Sequence, residues 1–368
     1  DYNYLQHRKV DVVSSALDFI LPFEKYKITA GAKVSFTNTR NGINYDTSDP
    51  TLVQDDYFRY KEQIYALYAD YSREYSERFS MQLGLRMEHT RTTGISEAKD
   101  TEDKHDYTRL FPTVYLLYSP TDGHALNFSF SNRISRPSQN MVNPFPFYQN
   151  KYTYACGRED LKPSYTYNAE LGYTLKNNFN VSAYYSYSDD VFFQVVDLDA
   201  ETNVTSFLWE NFMKTHAFGL NNSYTFRTKW LQAYAQHGVS YRRTTSSAVT
   251  TSPEEKGWAY DASLRNTFFF NEKKTLLATL SGSYSSRQYQ GIYLMSPTYS
   301  VSAGMLYRLL DNKLNLSLNV NNLFVSHSKL ETMSNGLKII ADNQFSFTSF
   351  RIGVSYTFGG DIRSKGQR

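Results

Sequence analysis

The few residue patterns that could support catalysis are incomplete. Ser326, Ser328 and Lys329 lie in a Ser-His-Ser-Lys run that fits the Ser-x-x-Lys spacing, in which a lysine activates a serine, but the companion motifs of such acylases are missing. The sequence also has no His-Glu-x-x-His zinc motif, no Gly-x-Ser-x-Gly turn and no glycine-rich phosphate loop. We therefore predict that the protein is not an enzyme.

Residues that could bind a metal are scattered along the chain. The seven histidines form no pair at i, i+2 or i+4. The acidic run at 100–103 lacks the glycine spacing of a calcium loop. Cys156 is the only cysteine, which excludes an intrachain disulfide and a multi-cysteine site. We expect no metal and no cofactor.

Candidate ligand-binding residues concentrate in the longest polar segment, 135–162. Long loops on a rigid scaffold are where binding residues collect, and aromatic rings with cations suit sugars, peptides or planar cofactors. The alternative is that the rings pack this loop onto itself or onto neighbouring loops. The candidates are Phe145, Phe147, Tyr148, Lys151, Tyr152, Tyr154 and Arg158.

Composition favours a membrane surface over a soluble core. The chain has 32 Tyr and 25 Phe among 368 residues, yet only 40% of it is hydrophobic. Tyrosine suits an interface because its ring is apolar and its hydroxyl is polar. No run approaches the roughly 18 apolar residues of a transmembrane helix. The 39 basic and 36 acidic residues form no clustered basic face, so we expect no nucleic-acid partner.

Alternation with a period of two runs along the whole chain. In 79–88 one face carries Phe, Met and Leu, and the other carries Ser, Gln, Gly, Arg and Glu; segments at 299–309, 314–321 and 350–358 show the same division. Many such segments run for about ten to fourteen residues, whereas soluble strands average about five or six. A membrane-spanning sheet with a wet interior fits both features.

The connections alternate between short and long, which gives the sheet an orientation. Short turns are predicted at 22–25, 73–77, 120–123, 176–178, 227–229, 271–273 and 310–313, and long polar links at 39–56, 91–106, 135–162, 197–203, 244–256, 288–296 and 328–342. In outer-membrane barrels the short turns are periplasmic and the long loops are external. The fold is therefore predicted as an all-β, transmembrane antiparallel β-barrel with about fifteen strands present. Because bacterial barrels are closed and have even strand numbers, further strands must complete it.

The last strand resembles the C-terminal recognition signal of outer-membrane proteins. Its pattern is a polar residue, then a glycine, then two aromatics at alternate positions, carried here by Arg351, Gly353, Tyr356 and Phe358. On this basis we predict a barrel domain at 1–358, a periplasmic tail at 359–368 and localisation in the Gram-negative outer membrane.

Upstream motifs resemble those of TonB-dependent receptors. These are the Asn-Leu-Phe ending of 314–324 and the Arg-Pro at 136–137, followed by a long loop and Leu-Lys-Pro at 161–163; Ser164 replaces the usual Glu. The resemblance implies a 22-stranded barrel that is filled by an N-terminal plug and energised through TonB. The plug, which carries the segment that contacts TonB, is not in this sequence. It also implies outer-membrane lipid as a partner, and a surface lipoprotein is a further candidate.

The resemblance gives a role to charged residues on the polar face of the strands. Arg86, Glu88, Arg133 and Glu170 are predicted to face the lumen, where they either line a ligand path or hold a plug by ion pairs. The function predicted is import of a scarce nutrient. The alternative is a passive porin or a structural barrel subunit of an outer-membrane complex.

Overall fold

The computed structural model describes residues 3–46, 56–97, 99–326, 328–343 and 347–358. The predicted tail at 359–368 and half of the predicted loop at 39–56, namely 47–55, lie outside these residues. In chain order the strands are β1 (Asn3–Pro22), β2 (Tyr26–Asp46), β3 (Asp56–Ser76), β4 (Phe79–Ser96), β5 (Thr101–Tyr118), β6 (His124–Ser135), β7 (Phe147–Asn150), β8 (Thr153–Cys156), β9 (Ser164–Leu175), β10 (Phe179–Leu198), β11 (Thr205–Arg227), β12 (Leu231–Ser246), β13 (Glu254–Phe269), β14 (Leu276–Ser285), β15 (Gln288–Gln290), β16 (Tyr293–Met295), β17 (Thr298–Leu309), β18 (Leu314–Val325), β19 (Ser328–Ser334), β20 (Leu337–Asn343) and β21 (Ser349–Tyr356). One short helix, α1 (Gln139–Val142), precedes β7.

Fifteen of these strands form one antiparallel wall in which each strand pairs with the next. The order is β1 to β6, then β9 to β14, then β17, β18 and β21. The short strands β7 and β8 join the same sheet, and β8 runs parallel to β11. The predicted all-β transmembrane barrel architecture with about fifteen strands is confirmed.

The two ends of the wall are not joined to each other among the described residues. No pairing connects β1 with β21 in this part of the chain. Neighbouring side chains on both faces of each edge strand are exposed, as at Val12 (60%) and Val13 (68%) on β1 and at Phe350 (73%) on β21. The wall is therefore an arc with two free edges.

The outer face of the wall is apolar and the inner face is polar. Leu67, Met87 and Leu110 form one row across β3, β4 and β5, and each exposes 40% or more of its surface. Their neighbours in the next row, Glu88 and Arg109, point to the opposite face. Removing a large apolar side chain from water is worth about 1.5–3 kcal/mol, so an outer face of this kind is stable against lipid and costly in water.

Aromatic side chains mark the two membrane interfaces on the outer face. Phe218, Tyr241 and Trp258 lie in one row across β11, β12 and β13, with ring centroids 5.2–5.7 Å apart. Trp230 and Phe268 stack at the periplasmic end, where β12 begins. About nine residues of β11 separate the two levels, which matches the roughly nine to eleven residues a tilted strand needs to cross the membrane.

The wall strands are longer than the sequence pattern predicts. β11 has 23 residues and β3 has 21, whereas segments of about ten to fourteen were expected. The predicted loops at 39–56 and 91–106 are wrong in their extent, since β2 continues to Asp46, β4 to Ser96, and β5 begins at Thr101. Beyond the membrane both faces of a strand are hydrated, so paired strands there lack the apolar stripe that identifies them.

The periplasmic connections are short turns, as predicted. The β5–β6 turn ends at Gly123, whose φ of 76° lies in the left-handed region that glycine adopts without strain. The external connections contain folded pieces: α1, β7 and β8 follow β6, and β15, β16, β19 and β20 form a second sheet. No α-helix in the described ranges is long and apolar enough to cross a membrane.

The second sheet packs on the external ends of β10 and β11. Val195, Val196, Phe212, Met213, Ile292 and Tyr293 form one buried apolar cluster there. The Tyr293 hydroxyl donates to the carbonyl oxygen of Gln194 at 2.9 Å, and the Asn335 amide donates to Asp197 at 2.8 Å. These contacts join loops that are far apart in the chain, so the outer end of the barrel is a folded layer.

Candidate functional site

The external loop between β6 and β9 folds back on itself. Its return segment donates backbone hydrogen bonds to its first turn, from Gly157 to Asn143 at 2.9 Å and from Arg158 to Met141 at 2.8 Å. A Cβ atom at residue 157 would overlap with the carbonyl oxygens of Asn143 and Met141, so only glycine permits this approach. Lys99 and Cys156 both donate to the carbonyl oxygen of Pro144 at 2.9 Å, which ties the loop to the β4–β5 connection.

The loop lies inside the arc of the wall. Val142 and Leu161 from the loop share one apolar cluster with Phe58 of β3. Phe192 of β10 and Trp209 of β11 pack against the same cluster. Because β3 and β10 are separated by four wall strands, a segment that contacts both must cross the lumen side. The loop therefore narrows the external mouth of the barrel.

The seven ligand-binding candidates of this loop occupy different environments. Phe145 is buried, the Tyr148 and Tyr154 rings lie 5.4 Å apart, and the Lys151 ammonium lies 4.5 Å from the Tyr152 ring centroid. Arg158 pairs with Asp160 at 2.7 Å and with Glu210 at 3.0 Å, and Phe147 is half-buried. Several of these rings thus pack within the loop, and their role in ligand binding stays a prediction.

Arg136 joins the start of the loop to the lumen side of β3 and β4. Its guanidinium donates to the Glu88 carboxylate and to the Thr90 hydroxyl at 3.2 Å, and it lies 3.8 Å from Glu62. The Glu88 side chain is only 9% exposed and Arg136 21% exposed. Removing one partner of such a pair leaves the other charge unpaired and poorly hydrated, which is costly. This ion-pair cluster is therefore a strong anchor for the loop.

The four charged residues predicted to face the lumen divide into two groups. Arg86 donates to Glu88, and its guanidinium also lies 5.6 Å from the ring centroid of Tyr68, so both residues belong to the Arg136 cluster. Arg133 and Glu170 are exposed on the same face, without an ion pair in the described part of the chain. Their assignment to a plug or to a ligand path stays a prediction.

A cavity of about 330 Å³ opens beside the Arg136 cluster. Tyr60, Glu62, Tyr107, Arg136 and Leu161 are among its lining residues. Glu62 and Tyr60 stand more than eleven residues above the periplasmic end of β3, outside the membrane-spanning part. Burial raises the pKa of the Glu62 carboxyl, although the nearby Arg136 charge acts to lower it. Burial likewise raises the pKa of Tyr60. The cavity combines tyrosine rings with charges of both signs.

Sequence reasoning missed Arg136 and Glu62 as site residues. The only local signal was the Arg-Pro ending of β6, whose proline stops the strand and directs the chain inward. The partners of Arg136 lie 48 and 74 positions earlier in the chain, beyond the reach of any local pattern. Among the described residues no group of three His, Cys, Asp or Glu side chains could hold a metal ion.

The residues of the predicted sorting signal lie on the edge strand β21 and just after it. Tyr356 is paired with Leu314 of β18, and Phe358 is 87% exposed. Gly353 lies opposite Ser317, whose hydroxyl would be 2.6 Å from an added Cβ atom, while Arg351 lies opposite Asn319 and is exposed. Tyr356 and Phe358 point to the lipid-facing side of the wall. Recognition of this signal stays a prediction.

An apolar outer face, interface aromatics and folded external loops together define an integral outer-membrane β-barrel. A family comparison agrees: the sequence model of the outer membrane protein beta-barrel family matches residues 1–356. The chain belongs to this family and is located in the Gram-negative outer membrane. A search among curated proteins finds no match.

Solved structures of similar fold are outer-membrane transporters and receptors. The copper transporter OprC aligns with a TM-score of 0.71 at 13% identity, over 96% of this chain and 58% of that chain. The ferric yersiniabactin uptake receptor FyuA from Yersinia pestis gives 0.64 at 15%, over 97% and 55%, and the siderophore receptor PiuA from Acinetobacter baumannii gives 0.63 at 14%, over 96% and 56%. The resemblance to TonB-dependent receptors is confirmed at the level of the fold. This chain spans somewhat more than half of their length.

Proposed function

We propose that this barrel is the membrane domain of a TonB-dependent transporter that imports a scarce nutrient. The observation that carries the proposal is the loop at 136–163, which is held inside the mouth by Arg136 and by the Phe58 cluster. An ordered loop that narrows a wide barrel suits selective capture better than free diffusion. The barrels of similar fold belong to proteins named as transporters and receptors, which supports the same reading.

In this proposal the remaining partners follow from the free edges of the wall. Further strands pair with β1 and β21, and a plug fills the lumen and relays energy from TonB. Arg133 and Glu170 lie on the lumen face, make no ion pair with another described residue, and would bind the plug through ion pairs. A surface lipoprotein that covers the folded external layer is an additional proposed partner.

A test of energised uptake separates this function from a passive porin. The full-length open reading frame should encode a plug of on the order of 130 residues and a TonB-contacting segment, as the resemblance implies. Uptake of the cognate nutrient should stop in cells that lack TonB. If transport continues in those cells, or if the purified protein makes liposomes permeable to small sugars, the porin alternative is correct.

Deleting part of the external loop tests where capture occurs. Removal of residues 143–158 should abolish co-purification of small molecules from the growth medium, detected by mass spectrometry, while the barrel stays resistant to heat on gels. Deletion of residues 247–252, in another external connection, is the matched control and should leave capture intact. Equal capture by the two deletion variants would contradict the assignment of the loop.

A further inference from the structure

The wall opens between β5 and β6 at its external half. β5 pairs with β4 over its whole length, from Thr101 to Tyr118, but with β6 only from Thr113 to Tyr118. β6 in turn pairs with β9 along all of its residues. The edge of β5 above Thr113 therefore has no strand neighbour on its β6 side in the described part of the chain. We refer to this opening as the β5 gap.

A proline in β5 marks where the pairing ends. The Asn132 amide donates to the carbonyl oxygen of Leu110 at 3.4 Å, so the backbone of Leu110 faces β6. In an antiparallel strand alternate residues direct both backbone groups to the same side. Pro112 therefore also faces β6, and it has no N–H to offer a neighbour. Proline in a sheet is confined to edges and bulges, so this residue fits a strand built to be unpaired on that side.

The β5 gap is closed above and hollow below. Thr101 donates to the Glu159 carboxylate at 2.7 Å, and a ring nitrogen of His105 lies 3.3 Å from the Glu159 carbonyl oxygen, so the external loop covers the upper part. The 330 Å³ cavity lies against β5 from Lys104 to Arg109 and is lined from both faces of the strand, by Asp106 as well as by Tyr107. It thus connects the lumen with the bare edge of the strand.

Two charges of opposite sign, Arg109 and Asp190, line the cavity, and neither makes an ion pair within 4.0 Å among the described residues. The Arg109 guanidinium lies 5.0 Å from the Tyr165 ring centroid and donates a hydrogen bond to the Tyr165 hydroxyl. Asp190 attracts it across the cavity, but no carboxylate in the described ranges is within 4.0 Å of it. Asp190, at a bulge in β10, likewise has no cation within 4.0 Å among the described side chains. Alternating backbone donors and acceptors beside this cation and this anion complement an extended zwitterionic chain.

We propose that the β5 gap binds an extended peptide, which adds to β5 as a strand and places an anionic group at Arg109 and a cationic group at Asp190. Strand addition at an exposed sheet edge gives affinity through the main chain and specificity through pockets. The cavity volume admits two or three residues of the peptide, and Tyr60, Tyr107 and Tyr165 surround their side chains. The inference rests on the proposed function, since it names peptides as the nutrient class.

Binding to the full-length protein in detergent micelles tests this inference. The probe is an equimolar hexapeptide library with free termini, and the control is the same library with alternate backbone nitrogens methylated. Methylation keeps the side chains but removes strand hydrogen bonds, each worth about 1 kcal/mol net, so the control library should bind about tenfold or more weakly. Equal affinity of the two libraries would refute strand addition and would indicate a lipid-like or side-chain-only site.

Protein variants provide a second, independent readout. Leu110→Pro removes the N–H nearest to Pro112 among those that face the gap, and Leu110→Ala is its matched control. The proline variant should bind the unmodified library about tenfold more weakly than the alanine variant. Arg109→Gln should weaken free-acid peptides about tenfold and C-terminally amidated peptides little. If Leu110→Pro binds as well as Leu110→Ala, the gap is not the site.

The two proposals fail in different experiments. Peptide binding in micelles needs no TonB, so peptide binding together with TonB-independent uptake would overturn only the proposed function. Conversely, TonB-dependent uptake of a different compound, with no difference between the two peptide libraries, would overturn only the peptide inference.

Discussion

Replacing Glu88 by glutamine tests whether the Arg136 cluster anchors the external loop. The Glu88 carboxylate accepts hydrogen bonds from Arg86 and Arg136, and its side chain is 9% exposed. Breaking a fully buried pair costs about 3–5 kcal/mol. Arg136 is 21% exposed and still has the Glu62 carboxylate at 3.8 Å when Glu88 is replaced, so its charge stays partly compensated. We therefore expect Glu88→Gln to cost about 2–3 kcal/mol of loop stability.

Glu62→Gln is the matched control, since it removes the other carboxylate near Arg136. Burial raises the pKa of Glu62, so its ionised form is already disfavoured in the folded protein. A group with a raised folded pKa contributes most below its unfolded pKa and loses that contribution as the pH rises. At neutral pH the neutral glutamine should therefore change stability by less than about 1 kcal/mol.

Amide hydrogen exchange of residues 136–161, read by mass spectrometry, measures the difference. A loss of about 2–3 kcal/mol corresponds to loop amides that exchange roughly 30- to 150-fold faster in Glu88→Gln, whereas Glu62→Gln should change exchange less than about fivefold. Unchanged exchange in Glu88→Gln, or equal acceleration in both variants, would refute the anchoring role of this ion pair.

Three further predictions concern the loop, the external sheet and assembly. Gly157→Ala should expose the loop to protease because its Cβ overlaps with two carbonyl oxygens, whereas Gly257→Ala, which meets only a tyrosine ring at 3.4 Å, should not. Burial raises the pKa of Tyr293 to about 12, so the external sheet should lose stability between pH 10 and 12; Tyr293→Phe should weaken this pH dependence in limited proteolysis, and an unchanged profile would contradict it. Phe358→Ser should lower the amount of heat-resistant barrel in the outer membrane severalfold, while the same change at Phe347 should not; equal yields would exclude Phe358 from the sorting signal.

Alternation of residue types was sufficient to predict the wall. The rows that contain Leu67, Met87 and Leu110 repeat every second residue, and lipid on one side with water on the other enforces that repeat. The short turns were equally predictable, because a tight reversal requires residues such as Gly123. These features depend on neighbours in the chain, which a single sequence displays directly.

The external layer was not predictable in the same way. Above the membrane no solvent difference separates the two faces, so the paired ends of β4 and β5 have the composition of a loop. The Arg136 cluster depends on partners from β3 and β4, and the Phe58 cluster joins strands from both sides of the arc. Pro112 was a local signal for an unpaired strand edge, yet its meaning depends on knowing which neighbour it faces.

The unequal lengths of the wall strands give the external rim an uneven height. At about 2.5 Å of vertical rise per tilted residue, β11 climbs roughly 55–60 Å, while β6 and β14, with 12 and 10 residues, climb only about 25–30 Å. The shorter strands thus end near the level of the lipid headgroups, and the taller ones stand well clear of the surface. The rim is therefore low at β6. A molecule that diffuses along the cell surface has a shorter path to the lumen there than over the taller strands. If the barrel imports a nutrient as proposed, cells with truncated outer-leaflet carbohydrate chains should take that nutrient up faster.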